Sequence, residues 1–209
     1  MNINEIIQGD CLDKMKKMKD KSVDLVFYDP PYNKKKKYDN YDDDLPYEDY
    51  MDWMVDVILE SERLSKRGFV IYIDGSMTFD FWNFLPNGDL VIIYKKAAGI
   101  AKNNYAHQYH SLLSTAKPVK RCRNVWDDIR LPGEGYYFRE PRYDTPGLTG
   151  LELTKRVLEF FTFEGETILD PFMGTGTTAV AAKEMDRNYI GIEQSQKYIR
   201  IANERLANV

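Results

Sequence analysis

Residues 166–193, ETILDPFMGTGTTAVAAKEMDRNYIGIE, constrain the fold of this chain more than any other stretch. They read as a strand, a glycine turn, a helix, a second strand and a closing acid. Gly174-x-Gly176-x-x-Ala179 fits the dinucleotide-binding fingerprint. Glu193 follows about 20 residues later, where that fingerprint places its acid. Glycine lets the backbone turn sharply and come close to a ligand. Thr175 or Thr177 can serve the helix start, whose free N–H groups face outwards. The second acid, Glu193, ends a strand where a carboxylate can accept from both hydroxyls of a ribose.

The rest of the chain repeats this alternation, which predicts an α/β sheet with helices on both faces. Strands are expected at 3–8, 23–28, 69–73, 90–94, 167–170 and 189–193, with a weaker candidate at 111–115. Helices are expected at 47–64, 150–161, 175–185 and 195–206. The first of these carries Tyr50, Trp53, Met54, Val57, Ile58 and Leu64 at helical spacing. With 209 residues and 43% hydrophobic content, a single domain over 1–209 is the default. Residues 96–147 differ in character. They contain KPVKRCRNVW, LPGEGYY and YDTPG, and read as an irregular insertion or small subdomain.

A formal net charge of −4 excludes a globally basic nucleic-acid binder. Any polyanion would have to meet a local patch. Residues 90–126 hold no Asp or Glu, yet carry Lys95, Lys96, Lys102, Lys117, Lys120, Arg121 and Arg123. This island reads either as a footprint for phosphates or as a chance cluster on a solvated surface. Cys11 and Cys122 form neither a disulfide framework nor a metal-ligand spacing, and no metal is expected. His107 and His110 read as structural or surface groups, and Trp53, Trp82 and Trp126 as core. There is no secretory signal and no apolar run near 18 residues, so a soluble cytoplasmic protein is expected.

Three ligands compete for the glycine loop. A nucleoside triphosphate needs the lysine of a GxxxxGK[ST] loop, and no Lys follows Gly176 before Lys183. The pyrophosphate of NAD would be repelled by Asp170, immediately before the loop. S-adenosylmethionine carries no phosphate; its ammonium and sulfonium are attracted by that acid, so Asp170 tips the choice towards it. A second stretch, VDLVFYDPPYNKKKKYDN at 23–40, ends an apolar strand on Asp29 and continues with Pro30, Pro31, Tyr32 and four lysines.

DPPY at 29–32 and DPFMGTGTT at 170–178 together resemble the amino-directed DNA methyltransferases, which methylate adenine N6 or cytosine N4 with S-adenosylmethionine. IIQGDCLDKM, YEDYMDWM and NYIGIEQSQKYIRIANERL extend the resemblance over nearly the whole chain. The catalytic motif precedes the cofactor motif, as in the permuted, beta-type order. The resemblance implies a doubly wound, Rossmann-like class I methyltransferase sheet, mostly parallel and seven-stranded, with 96–147 as a target-recognition insertion. It implies that Asp29, Pro30, Pro31 and Tyr32 hold the target base. Asp10, with the backbone of Cys11, would meet the cofactor's adenine, and Glu193 its ribose. Gly174, Thr175, Gly176 and Thr177 would border the methionine portion, with Asp170 near its amino-acid end. Phe172 and Gln194 complete the expected cofactor set. Candidates for DNA phosphates are Lys34, Lys35, Lys36, Lys37, Lys117, Lys120, Arg121 and Arg123. One departure stands out. The family's TQKP-like element has no Lys-Pro counterpart in GLTGLELTKRVL at 147–158, and Thr149 is the candidate substitute.

The chemistry explains the residue types. An exocyclic amino group is a poor nucleophile because its lone pair is delocalised into the ring. Drawing its two N–H bonds towards the Asp29 carboxylate and the Pro30 carbonyl favours a more tetrahedral nitrogen. Proline fixes φ and adds no competing donor. Tyr32 offers a face on which an extruded base can stack. The expected reaction is direct in-line transfer to adenine N6 in DNA, with DPPY favouring adenine over the SPPY form associated with cytosine N4. Rival readings are cytosine N4 in DNA, adenine in RNA, a dehydrogenase, and a catalytically idle nucleic-acid-binding module. The resemblance leaves open a homodimer and a restriction endonuclease partner.

Overall fold

The run Leu25–Tyr28 is buried on both of its faces, as a central strand of a parallel sheet must be. Around it the computed structural model, which describes residues 2–85, 87–94, 109–129 and 149–209, builds one sheet. Its strands are β1 (Glu5–Gln8), β2 (Leu25–Tyr28), β3 (Phe69–Asp74), β4 (Asp89–Tyr94), β5 (Tyr109–Ser114), β6 (Val125–Trp126), β7 (Thr167–Asp170) and β8 (Asn188–Glu193). They lie in the order β1-β8-β7-β2-β3-β5-β4-β6. Only β5 runs against its neighbours; β4 and β3 flank it, and the remaining pairings are parallel.

The sheet thus has eight strands among the described residues, not the expected seven. The addition is β6, a two-residue strand paired with Ile92 and Ile93 of β4. Two residues carry no periodic signal. The weak candidate at 111–115 is β5, the reversed strand. Its apolar pattern is interrupted by Ser111 and Ser114, both fully buried. Ser111 pairs its hydroxyl with that of Thr78 at 2.8 Å, and Ser114 donates to the carbonyl of Ala116 at 2.8 Å. Buried hydroxyls are tolerated because they are satisfied.

Among the described residues six α-helices flank the sheet: α1 (Cys11–Met15), α2 (Tyr47–Leu64), α3 (Thr78–Trp82), α4 (Leu151–Phe161), α5 (Thr177–Glu184) and α6 (Gln196–Ala207). The five-residue helices α1 and α3 are too short to announce themselves by period. Side chains alternate across each strand, so the sheet has two cores. Leu25 and Phe27 pack with Leu153 and Val157 of α4 and Ala179 and Ala182 of α5. Val26 and Tyr28 pack on the other face with Met15 of α1 and Tyr50, Met54 and Val57 of α2. The chain leaves β2 through α2 to β3 on one side, and leaves β7 through α5 to β8 on the other. Adjacent β2 and β7 therefore open a crevice at their carboxyl ends, the switch point where α/β sheets bind ligands. No helix among the described residues is long and apolar enough to cross a membrane.

Candidate active site

Asp29 is the first residue beyond β2, and its carboxylate is gripped on both oxygens. Tyr32 Oη contacts Asp29 Oδ1, and Thr149 Oγ1 donates to Oδ2 at 2.5 Å. Tyr32 Oη also lies 2.7 Å from the carbonyl oxygen of Tyr72 on β3. The Tyr50 hydroxyl donates to the carbonyl of Pro31 at 2.9 Å, not to that of Pro30, and ties the motif to α2. Burial pushes the Asp29 carboxyl above its ordinary range, against the hydrogen bonds from Thr149 and Tyr32 and the charge of Lys36. Burial, and then the neighbouring Asp29, push the Tyr32 phenol well up. The open stacking face expected of Tyr32 is a buried ring here, 9% exposed.

The glycine loop follows β7. Asp170 closes it, accepting from Phe172 N at 2.9 Å and from Thr178 Oγ1 at 2.6 Å. Burial lifts the Asp170 carboxyl to about 7. Gly174 and Gly176 adopt φ of 52° and 85°, a region that favours glycine. For Gly176 there is a second reason, since a Cβ would lie 2.7 Å from Cβ of Ala202 on α6. That glycine serves the packing of α5 against α6, while Gly174 lines the crevice. Glu193 braces the loop from β8, accepting from Gly174 N at 2.8 Å and from Ser195 N at 2.7 Å. Burial raises its carboxyl too. Arg205 of α6 is not legible in the sequence as a loop residue. Its Nη1 donates to the Thr175 carbonyl at 2.8 Å and lies 3.2 and 3.1 Å from the hydroxyls of Thr175 and Thr177.

The loop after DPPY forms a wall. The Asp43 carboxylate, 2% exposed, accepts the backbone N–H of Asn33 at 2.8 Å and of Lys34 and Lys36 at 3.0 Å. At the loop's far side Ser195 Oγ donates to Asp39 Oδ2 at 2.6 Å. The loop thereby bridges the end of β2 to the segment after β8. Together these elements enclose a crevice of about 1140 Å³ including its mouth. Asp29, Pro30, Pro31, Tyr32, Asp170, Phe172, Gly174, Thr175, Thr177, Glu193, Gln194 and Cys11 all line it. Asp10 and Gly176 are not among the lining residues. Asp10 caps α1 by accepting from Asp13 N at 3.0 Å, and accepts from Gln194 Nε2 at 3.2 Å. Burial pushes the Cys11 thiol up to about 12, so it carries no nucleophile.

Sequence reasoning misses part of the lining, including Tyr38, Tyr41 and Trp53, and Lys36, expected to meet DNA phosphates, also lines it. Trp53, expected in the core, is half-buried. It stacks on Tyr41 with centroids 5.8 Å apart, and meets Phe172 edge-on at 5.6 Å. Its place on the apolar stripe of α2 hides this role. Trp126, in contrast, is buried at 2% exposure.

Five of the eight expected phosphate-binding cations are paired with acids, three of them with acids distant in sequence. Lys34 pairs with Asp74 at 2.8 Å and Lys35 with Asp44 at 3.1 Å. Lys117 pairs with Asp89 at 2.7 Å and Lys120 with Glu159 at 3.1 Å. Arg123 lies within 3.9 Å of Asp127 and Asp128. Lys37 and Arg121 are exposed. Solvated pairs of this kind are worth about 0–1 kcal/mol, so a phosphate can displace the acid. Lys95, Lys96, Lys102 and His107 lie outside the described residues, as do 96–108 and 130–147 of the expected insertion.

The crevice gathers three carboxyls, the buried Asp170 and the half-buried Asp29 and Glu193, beside a wall of aromatic rings. Each carboxyl would ionise more readily next to a cation. No lysine of the glycine loop offers itself to a pyrophosphate. The donor set fits a ligand that joins a heteroaromatic ring and ribose to a positively charged tail. No group of His, Cys, Asp or Glu among the described residues could hold a metal ion.

Comparison with known proteins agrees. The family described as DNA methylase matches residues 23–204. The DNA adenine methyltransferase YhdJ of Escherichia coli (strain K12) is 28% identical over 96% of this chain and 82% of its own. The type II methyltransferase M.HinfI of Haemophilus influenzae is 27% identical over 99% of this chain and 69% of its own. Among solved structures, TTHA0409 of Thermus thermophilus, complexed with S-adenosyl-L-methionine, matches with a TM-score of 0.71 and 25% identity, covering 98% of this chain and 93% of that one. The cytosine-N4-specific PvuII DNA methyltransferase matches with a TM-score of 0.72 at 16% identity over 96% of this chain and 85% of its own, a likeness of fold.

Proposed function

This chain belongs to the N6/N4 DNA methylase family, and from that premise we propose that it methylates the N6 amino group of adenine in DNA. The observation that carries the reading is one crevice lined by both the Asp29–Tyr32 motif and the Asp170, Gly174 and Glu193 loop. DPPY and the adenine-directed YhdJ support adenine over cytosine N4. S-adenosylmethionine, when bound, supplies an electrophilic methyl group. The chain's own residues hold and activate. Asp29 accepts one amino N–H of an extruded base, and the Pro30 carbonyl accepts the other. A carboxyl raised by burial is a stronger base for the proton that leaves nitrogen. Tyr41, Trp53 and Phe172 would flank the adenine of the cofactor, and Glu193 would hold its ribose. Asp170 draws the cationic tail. Residues 109–114 and 125–126 of the expected insertion are sheet strands β5 and β6, so we assign target recognition to the rest of 96–147, and phosphate contacts to the exposed lysines and arginines. The type II relatives support an endonuclease counterpart.

The test is transfer of tritiated methyl from S-adenosylmethionine to DNA, RNA and protein, followed by nucleoside chromatography. N6-methyladenine in DNA is expected. Label in N4-methylcytosine overturns the base, label in RNA or protein overturns the substrate, and no label anywhere overturns the enzyme.

Asp170 adds a pH dependence. In the ligand-free protein its carboxyl, lifted to about 7, carries a proton at pH 6. A cation alongside favours the ionised form, so binding expels that proton. Cofactor affinity is therefore expected to fall as pH drops through 7, by up to about tenfold per pH unit for one proton. Calorimetry at pH 6 and 8, in buffers of different ionisation enthalpy, should record proton release. Proton uptake, or equal affinity at both pH values, would remove Asp170 from contact with the charge.

A further inference from the structure

We propose that Thr149 is a positioning residue that fixes the orientation of the Asp29 carboxyl and favours its ionised form. The proposal rests on the reading of Asp29 as acceptor of the base's amino proton. Thr149 stands 120 residues from Asp29 in the chain, yet its Oγ1 donates to Oδ2 at 2.5 Å. It precedes Gly150, the N-cap of α4, which makes no side-chain cap hydrogen bond.

Counting protons shows why this matters. Tyr32 has one hydroxyl proton and two oxygens within reach, Asp29 Oδ1 and the Tyr72 carbonyl. The carbonyl can only accept. When Tyr32 donates to it, the contact with Oδ1 needs a proton from Asp29, and the carboxyl is neutral. When Asp29 ionises, Tyr32 turns its proton to Oδ1. Thr149 donates to Oδ2 in both cases, but its bond is stronger to the anion. The other groups around Asp29 pull in opposite directions. Lys36 from the same loop favours the anion, while Asp74 at the end of β3 opposes it. Asp170 at the end of β7 feels the same mutual repulsion, and Tyr38 also faces Asp29. Among these neighbours Thr149 supplies a neutral donor that stays with the carboxyl in both states. It leaves a lone pair of each oxygen for the base.

The experiment compares wild type, Thr149→Val and Thr149→Ser. Single-turnover methyl transfer to unmethylated, mixed-sequence duplex DNA is followed from pH 5.5 to 9. Cofactor affinity is measured by calorimetry, and the Asp29 carboxyl is titrated by 13C NMR with Asp29→Asn for assignment. Thr149→Val should lower the rate at neutral pH by roughly tenfold, the factor for losing one charge-assisted hydrogen bond. Its acid limb should move to higher pH, and Asp29 should titrate higher. Thr149→Ser should restore all of these, with cofactor affinity unchanged throughout. An unaltered rate and acid limb in Thr149→Val would overturn the proposal. So would a parallel loss of cofactor affinity, which would make Thr149 a cofactor contact. If wild type moves no methyl to DNA, the functional reading fails separately. The NMR titration then decides alone: a raised Asp29 titration in Thr149→Val upholds the clamp, and an unchanged one overturns it.

Discussion

Asp29→Ala should abolish methyl transfer, by roughly a thousandfold or more, while S-adenosylmethionine still binds. General-base and acceptor groups at a reacting nitrogen contribute typically about 10²–10⁴-fold, and here the same side chain also orients the base. The variant should fold. With the carboxyl gone, Tyr32 keeps the Tyr72 carbonyl as its acceptor, and the hydroxyl of Thr149, half-buried at the crevice wall, loses Asp29 but can turn to solvent. Burial raises the Asp29 carboxyl, meaning that the folded protein binds its proton more tightly than the unfolded chain. Stability from this group is present at low pH and declines as pH rises above the unfolded value. Removing it should leave stability at neutral pH unchanged or higher, as expected for a group kept for function. Thermal unfolding, cofactor calorimetry and tritium transfer on one preparation check the three statements together. Normal turnover would sink the mechanism. Loss of both transfer and binding would mean that the base side and the cofactor side of the crevice are not separate.

The parts of this site that could be read in the sequence are those in which local chemistry and backbone geometry coincide. Gly174 and Gly176 announce a turn because both take φ values that favour glycine. DPPY stands out because two prolines after an apolar strand leave a rigid end. What escapes reading depends on tertiary meetings. Asp43 sits among acids that look solvated, yet it is buried under three backbone N–H groups from a loop that looks merely basic. Residues 90–126 contain no acid, but Asp89 and Glu159 reach Lys117 and Lys120 across the fold. Trp53 shares the helical spacing of its core neighbours, so period alone cannot tell a wall from a core. β5 is a weak signal because satisfied serines interrupt it, and β6 is invisible because it is two residues long. In each case the missing information is which partner arrives, and partners are set by sheet order.

Glu193 is where such a meeting should have the largest effect on cofactor affinity. Its carboxylate already accepts from Gly174 N and Ser195 N, one bond on each oxygen. Each oxygen keeps a lone pair, so two ribose hydroxyls can be accepted without breaking the brace. Glu193→Ala loses both functions. The expected cost is about 1.5–3 kcal/mol for charge-assisted hydrogen bonds, or roughly a ten- to hundredfold weaker cofactor. Glu193→Gln should not rescue it, because one amide end presents donors where Gly174 N or Ser195 N also donates. Affinity alone does not separate ribose binding from loop bracing. A cycle with S-adenosylhomocysteine and its 2′-deoxy analogue does. Wild type should prefer the hydroxylated ligand, and Glu193→Ala should bind both equally. Unchanged affinity in a folded Glu193→Ala protein would take the residue out of the site. A preference that survives the substitution would leave Glu193 acting through the glycine loop, with another group holding the ribose.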